Sequence, residues 1–124
     1  MTAATRSLEW FTRRIFTRII TSLARTLREE DLTVVQVATL YLVDERHTMR
    51  IGQVARAINR PVPLVSRMVD DLVQRRFLVR EEDPKDRRAK ILTLSAKGRA
   101  FIERAGQSRV LTIVEATAGI RRTS

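Results

Sequence analysis

Seven charged residues fall within eight positions of EEDPKDRR: Glu81, Glu82, Asp83, Lys85, Asp86, Arg87 and Arg88. The guanidinium group is a planar fork of donors that matches a phosphate, a carboxylate or the O6/N7 edge of guanine. A carboxylate two residues before Arg88 could hold it in position by a charge-assisted hydrogen bond. A second cationic set lies upstream in NRPVPLVSR, at Arg60 and Arg67 with Ser66 beside them. These residue types grip anions and read polar edges. They do not make or break bonds.

Catalysis finds little support elsewhere in the chain. There is no cysteine and one histidine, His47, so thiolate chemistry, disulfides and a His-rich metal site are excluded. No Gly-rich phosphate loop and no catalytic triad spacing occur, and no cofactor is implied. The 124 residues carry a formal net charge of +10, a balance that favours a polyanionic partner. The excess is uneven. Residues 1–28 hold six Arg against one Glu, whereas 29–55 are net acidic. No apolar run reaches the roughly 18 residues of a membrane span, so no membrane role is expected and the protein should be cytoplasmic.

The charged segment needs elements to position it. Phe77–Arg80 and Ala89–Leu94 read as two short strands joined by a turn around Asp83-Pro84. Upstream, IGQVARAIN (51–59) gives a short helix with Ile51, Val54, Ala55 and Ile58 on one face, lacking a good cap because Arg50 stands at its start. A second helix begins near Pro61–Pro63, where proline is accepted. Its spacing buries Leu64, Val65, Met68, Val69, Leu72 and Val73, and leaves Ser66, Arg67, Asp70 and Gln74 outward. Asp70 is expected to pair with a nearby Arg, and His47 to lie exposed at a helix end. LTVVQV (32–37) carries a capping box, Thr33 with Gln36, and opens a helix running to about Glu45.

Long helices flank this core. Leu8, Phe11, Ile15, Ile19, Leu23 and Leu27 form a helical stripe over 6–28. Ser95 should cap a last helix through Phe101, Ile102, Ile113 and Val114, ended by Gly119. The fold class is therefore mainly α: a winged helix-turn-helix with a β-hairpin wing, flanked by N- and C-terminal dimerisation helices. We expect one domain over 1–124, with 32–94 as the DNA-binding lobe and 6–28 and 95–118 as dimerisation helices. Leu8, Phe11, Ile15, Ile19, Phe101 and Ile113 are the expected dimer contacts.

This arrangement suits double-stranded DNA. The major groove admits one helix, and residues near that helix's N-terminus reach base edges. Arg60, Ser66 and Arg67 would stand there, while Lys85, Arg87 and Arg88, with Asp86 as their anchor, would meet the duplex from the hairpin.

The same residues carry a resemblance. LTVVQVATLYL, IGQVARAI and VSRMVDDLVQRRFLVREEDPKDRRAKILTLSAKG are similar to the successive signatures of the multiple-antibiotic-resistance regulator (MarR) family, over about residues 32–98. The resemblance implies a homodimer joined through its terminal helices, on a pseudo-palindromic operator. It implies Arg88 in the minor groove held by Asp86. It also leaves room for a small-molecule effector, of unspecified identity, in a cleft between dimer helices and lobe. The chain departs from the pattern at Arg76, where glycine is usual, and at the two prolines before the recognition helix. It also stops at Ser124, short of the family's usual last helix, so a reduced dimer domain is expected. The implied function is a sequence-specific DNA-binding transcriptional regulator, with repression the expected mode. The competing readings are a module that pairs with another regulator and a basic amphipathic membrane binder based on 6–28.

Overall fold

The computed structural model describes residues 2–123, with the side chains of 108, 109, 112, 116, 117 and 119–123 outside that description. Five helices and a hairpin follow in the order α1 (Ala3–Glu30), α2 (Val34–Arg46), α3 (Ile51–Ile58), α4 (Val62–Gln74), β1 (Leu78–Asp83), β2 (Asp86–Leu94) and α5 (Ala96–Thr123). They form two compact units, Leu32–Glu103 and a second made of 1–31 with 104–124. The mainly helical winged helix-turn-helix class expected from the sequence is what the chain adopts. Among the described residues, no helix is long and apolar enough to cross a membrane.

In the Leu32–Glu103 unit, α2 starts as its sequence requires. The Gln36 amide donates to Thr33 Oγ1 at 3.2 Å, and Gln36 Oε1 accepts from the Thr33 amide at 3.0 Å. This satisfies two of the donors that a helix start leaves orphaned. Leu40 and Val43 of α2 then lie fully buried with Val54 of α3, Val65, Val69 and Leu72 of α4, and Leu78 and Leu92 of the hairpin. Gln36, itself buried, donates from Nε2 to Asp71 Oδ2 at 2.7 Å, tying α2 to α4.

The junction after α4 uses nearly every residue of its sequence. Phe77 N–H bonds to the Leu72 carbonyl and Arg76 N–H to that of Val73, the paired bonds of a Schellman ending. Arg76 supplies the left-handed residue, at φ 65°. Ser95 Oγ donates to carbonyls of this turn, Arg76 and Phe77, and accepts from the Gly98 amide at 3.0 Å, so it caps α5 as expected. Lys97 Nζ donates to the Arg75 carbonyl at 2.9 Å and lies 4.3 Å from the centre of the Phe77 ring. At Gly98 a Cβ would stand 2.2 Å from the Phe77 carbonyl oxygen, so only glycine fits. Phe101 closes the corner, edge-on to Phe77 with centroids 5.9 Å apart. At 2 % exposure it is core of this unit. That corrects its expected place among the dimer contacts: the first two turns of α5 spend their apolar face on the lobe. Nor does Gly119 end α5, which runs on to Thr123. One glycine costs an established helix only about 1 kcal/mol.

The second unit is built differently. Thr2 caps α1 by accepting from the Thr5 amide, and Asp31 ends it in the left-handed region at φ 53°. In its 28 residues no side chain is buried. Leu8, Trp10, Phe16 and Ile20 are exposed, with Phe11, Ile15 and Ile19 only half-covered. On α5, Val110, Leu111, Ile113 and Val114 are likewise exposed. Glu30 and Arg104 approach to 3.7 Å at the surface.

Candidate nucleic-acid interface

Helices α3 and α4 are joined by a turn of three residues, Asn59-Arg60-Pro61. Asn59 takes the left-handed conformation at φ 54°, which asparagine tolerates better than most residues, and Arg60 N–H bonds back to the Ala55 carbonyl at 3.0 Å. At the other end of α3 the missing N-cap is replaced in part: Gln53 Oε1 accepts from the Arg50 amide at 2.9 Å. Helix α4 has no side-chain cap, since Pro61 precedes it. Arg60 and Arg67 are exposed and Ser66 is half-buried. Leu64, expected in the core, is instead 54 % exposed. The helix begins at Val62, and its buried line runs through Val65, Val69 and Leu72, leaving Leu64 to the side of it.

The wing is longer than its apolar residues suggest. Strands β1 and β2 pair antiparallel from Leu78↔Leu94 to Glu82↔Lys90, then jump to Asp83↔Asp86. Only Pro84 and Lys85 form the turn. Proline holds φ negative, so this turn is not the mirror-type turn whose twist matches a hairpin. The register breaks directly after it, and Arg87, Arg88 and Ala89 bulge out with no partner on β1. The bulge presents Arg87 and Arg88 to solvent, the Arg88 side chain being 97 % exposed. Asp86 Oδ1 accepts from the Arg88 backbone amide at 3.1 Å and lies 3.7 Å from Arg88 Nε. Its hold is thus chiefly on the backbone, and the guanidinium stays open.

Three anchors fix the wing to the lobe. Asp83 Oδ1 accepts from the Lys85 amide at 2.9 Å and Oδ2 from Arg50 Nη2 at 2.5 Å. The Lys85 amide, and then Arg50, hold the Asp83 carboxyl below its ordinary pKa. Arg80 Nη2 donates to Asp70 Oδ1 at 2.5 Å, which joins β1 to α4 and gives Asp70 the Arg partner expected of it. Met49, buried, forms a one-residue bridge with Leu92, its amide donating at 3.1 Å and its carbonyl accepting at 2.7 Å. The site residues named from sequence therefore fall into two groups on one compact unit. Arg60, Ser66 and Arg67 gather at the start of α4, and Lys85, Asp86, Arg87 and Arg88 at the wing. Sequence reasoning missed the anchors Met49, Arg50 and Asp83, and the exposed pair Val62 and Leu64.

Comparison with known proteins agrees with this geometry. The MarR family profile matches residues 30–89. The uncharacterized HTH-type transcriptional regulator YkoM of Bacillus subtilis is 28% identical over 111 residues, which span 86% of this chain and 72% of that one. The transcriptional regulator Tm0710 of Thermotoga maritima superposes with a TM-score of 0.81 at 25% identity, covering 93% of this chain and 81% of its own. A mutant of S. aureus MepR bound to an oligodeoxyribonucleotide shares the fold, with a TM-score of 0.67 and 20% identity over 94% of this chain and 80% of that one. With a helix-turn-helix, a cationic wing and these relatives, the chain is a winged-helix protein similar to the MarR family of DNA-binding transcriptional regulators.

Proposed function

We propose that the protein binds a pseudo-palindromic operator as a homodimer and represses transcription from it in the cytoplasm. The recognition helix α4 enters the major groove and the Arg87–Arg88 bulge meets the minor groove or its phosphates. One observation carries this reading. The same compact unit exposes cations at the start of a helix-turn-helix's second helix and at the tip of a wing anchored to that helix through Arg80–Asp70. Arg67 supplies base contacts and Lys85 a phosphate contact. The oligodeoxyribonucleotide bound to the MepR structure gives the fold a precedent for this use. The apolar faces of α1 and α5 supply the two-fold contact, which would set two recognition helices one DNA turn apart or a multiple of it.

Fluorescence anisotropy against DNA from upstream of the gene, at two salt concentrations, tests the reading. Arg88→Ala should weaken specific binding by about 1–3 kcal/mol. Its melting temperature should not change, because the side chain is exposed. Lys85→Ala should weaken binding to all sequences alike and lower the salt dependence. Unaltered affinity in Arg88→Ala at physiological salt would remove the wing from the mechanism.

A further inference from the structure

Helix α4 opens on three exposed apolar residues, Val62, Pro63 and Leu64. Val62 is 51 % and Leu64 54 % exposed, whereas Val65, Val69 and Leu72 are almost wholly buried. At about 100° per residue, Val62 and Leu64 flank the outward face, with Pro63 and Arg67 between them. Half-exposed branched aliphatic side chains gain little from the lobe's own core. Their surroundings are cationic: Arg56, Arg60 and Arg67 are all exposed, and no acidic residue occurs from Asn59 to Val69.

On the DNA-binding reading, on which this inference rests, this first turn is the part of α4 that reaches base edges. Its side chains offer neither donor nor acceptor, and Pro63 lacks even a backbone N–H. They have no means of reading a hydrogen-bond pattern. The one feature of a major-groove edge that rewards apolar contact is the 5-methyl group of thymine. We propose that Val62 and Leu64 read thymine methyl groups in the major groove, next to a guanine read by Arg67. Leu64 and Arg67 are separated by about 4.5 Å along the helix axis. Base pairs repeat about every 3.4 Å. The thymine and the guanine should therefore lie within one or two base pairs of each other in each half-site.

The test starts with selection of duplexes from a randomised pool by the full-length protein. In the best duplex each thymine is then replaced singly by deoxyuridine, which removes only the methyl group, and affinity is measured by anisotropy at fixed salt. At least one position per half-site should lose about three- to five-fold in affinity, the value of one buried methyl. That loss should vanish in Leu64→Ala or Val62→Ala, whose exposed side chains can be removed without unfolding the lobe. Circular dichroism would verify that both variants are folded. Tolerance of deoxyuridine at every position overturns the proposal, and so does a loss that persists in both variants, while DNA binding itself would stand. Failure to enrich any sequence would instead remove the DNA-binding reading, and this inference with it.

Discussion

Helices α1 and α4 both carry apolar stripes at helical spacing and meet opposite fates. Every buried hydrophobic residue among the described ones lies between Leu32 and Phe101. In α4, Val65, Val69 and Leu72 vanish into that core, while α1 buries nothing along 28 residues. Periodicity therefore announces that a face must be covered, and it is silent on what covers it. The lobe completes itself. The helical pair leaves apolar surface of the kind soluble monomers seldom tolerate, which is why we assign it to a second copy.

The most damaging test of that contrast is a charge in the middle of α1. Ile15→Asp should leave a monomer or an aggregate and abolish specific DNA binding, while amides of 32–103 keep their hydrogen-exchange protection. Sedimentation would decide it, and a parent protein that is monomeric at micromolar concentration would dissolve the contrast. The reciprocal change strikes the lobe. Gly98→Ala drives a methyl group against the Phe77 carbonyl, and should cost about 1–3 kcal/mol in urea unfolding through forced backbone shifts.

A smaller effect of opposite sign is expected one turn away. Arg76 sits at φ 65°, where an L residue is strained by about 1 kcal/mol and glycine is not. Arg76→Gly should raise stability by about that amount, with DNA affinity unchanged. An unaltered urea midpoint would mean that the chain has relieved the strain elsewhere. The smallest effect concerns acid. Because the folded-state pKa of Asp83 is lowered, its contribution is complete above the unfolded carboxylate value of about 3.9. That contribution disappears as pH falls through the lower folded value. Asp83→Asn should therefore be less stable than the parent by a constant margin from pH 7 to about 5, and the margin should close below about pH 4. A margin that stays constant in strong acid would show that Asp83 acts through shape and not charge.

Much of the lobe was legible because its signals are local. Thr33 with Gln36, and Ser95 before Gly98, announce helix starts within four residues, and both caps form. The wing cations were legible as a group, since charge density survives any error in strand limits. The limits themselves were not. Charged residues are poor strand formers on propensity, yet cross-strand pairing carries β1 through Glu81, Glu82 and Asp83. Arg50 and Asp83 are separated by 33 residues, and no periodicity relates them. Met49 is a single bridged residue, too short to show any alternation. Phe101 was misassigned because α5 serves the lobe with its first turns and presents apolar residues again farther along, and one uninterrupted stripe reads the same in both places. Leu64 was misassigned because two prolines blur where α4 begins, and an error in phase turns a flank into a core position.

The bulge at Arg87–Ala89 has a further consequence. These three residues oppose nothing on β1, so the ladder from Leu78 to Glu82 is indifferent to how many residues stand there. An extra residue inserted between Arg88 and Ala89 would shift no side chain from one face of the sheet to the other, as it would within the paired run from Lys90 to Leu94. It would instead enlarge the bulge between two fixed points, Asp86 opposite Asp83 and Lys90 opposite Glu82, while the anchors at Arg50 and Asp70 stay where they are. The wing thus has an adjustable bulge, whose size can change independently of the wing's attachment.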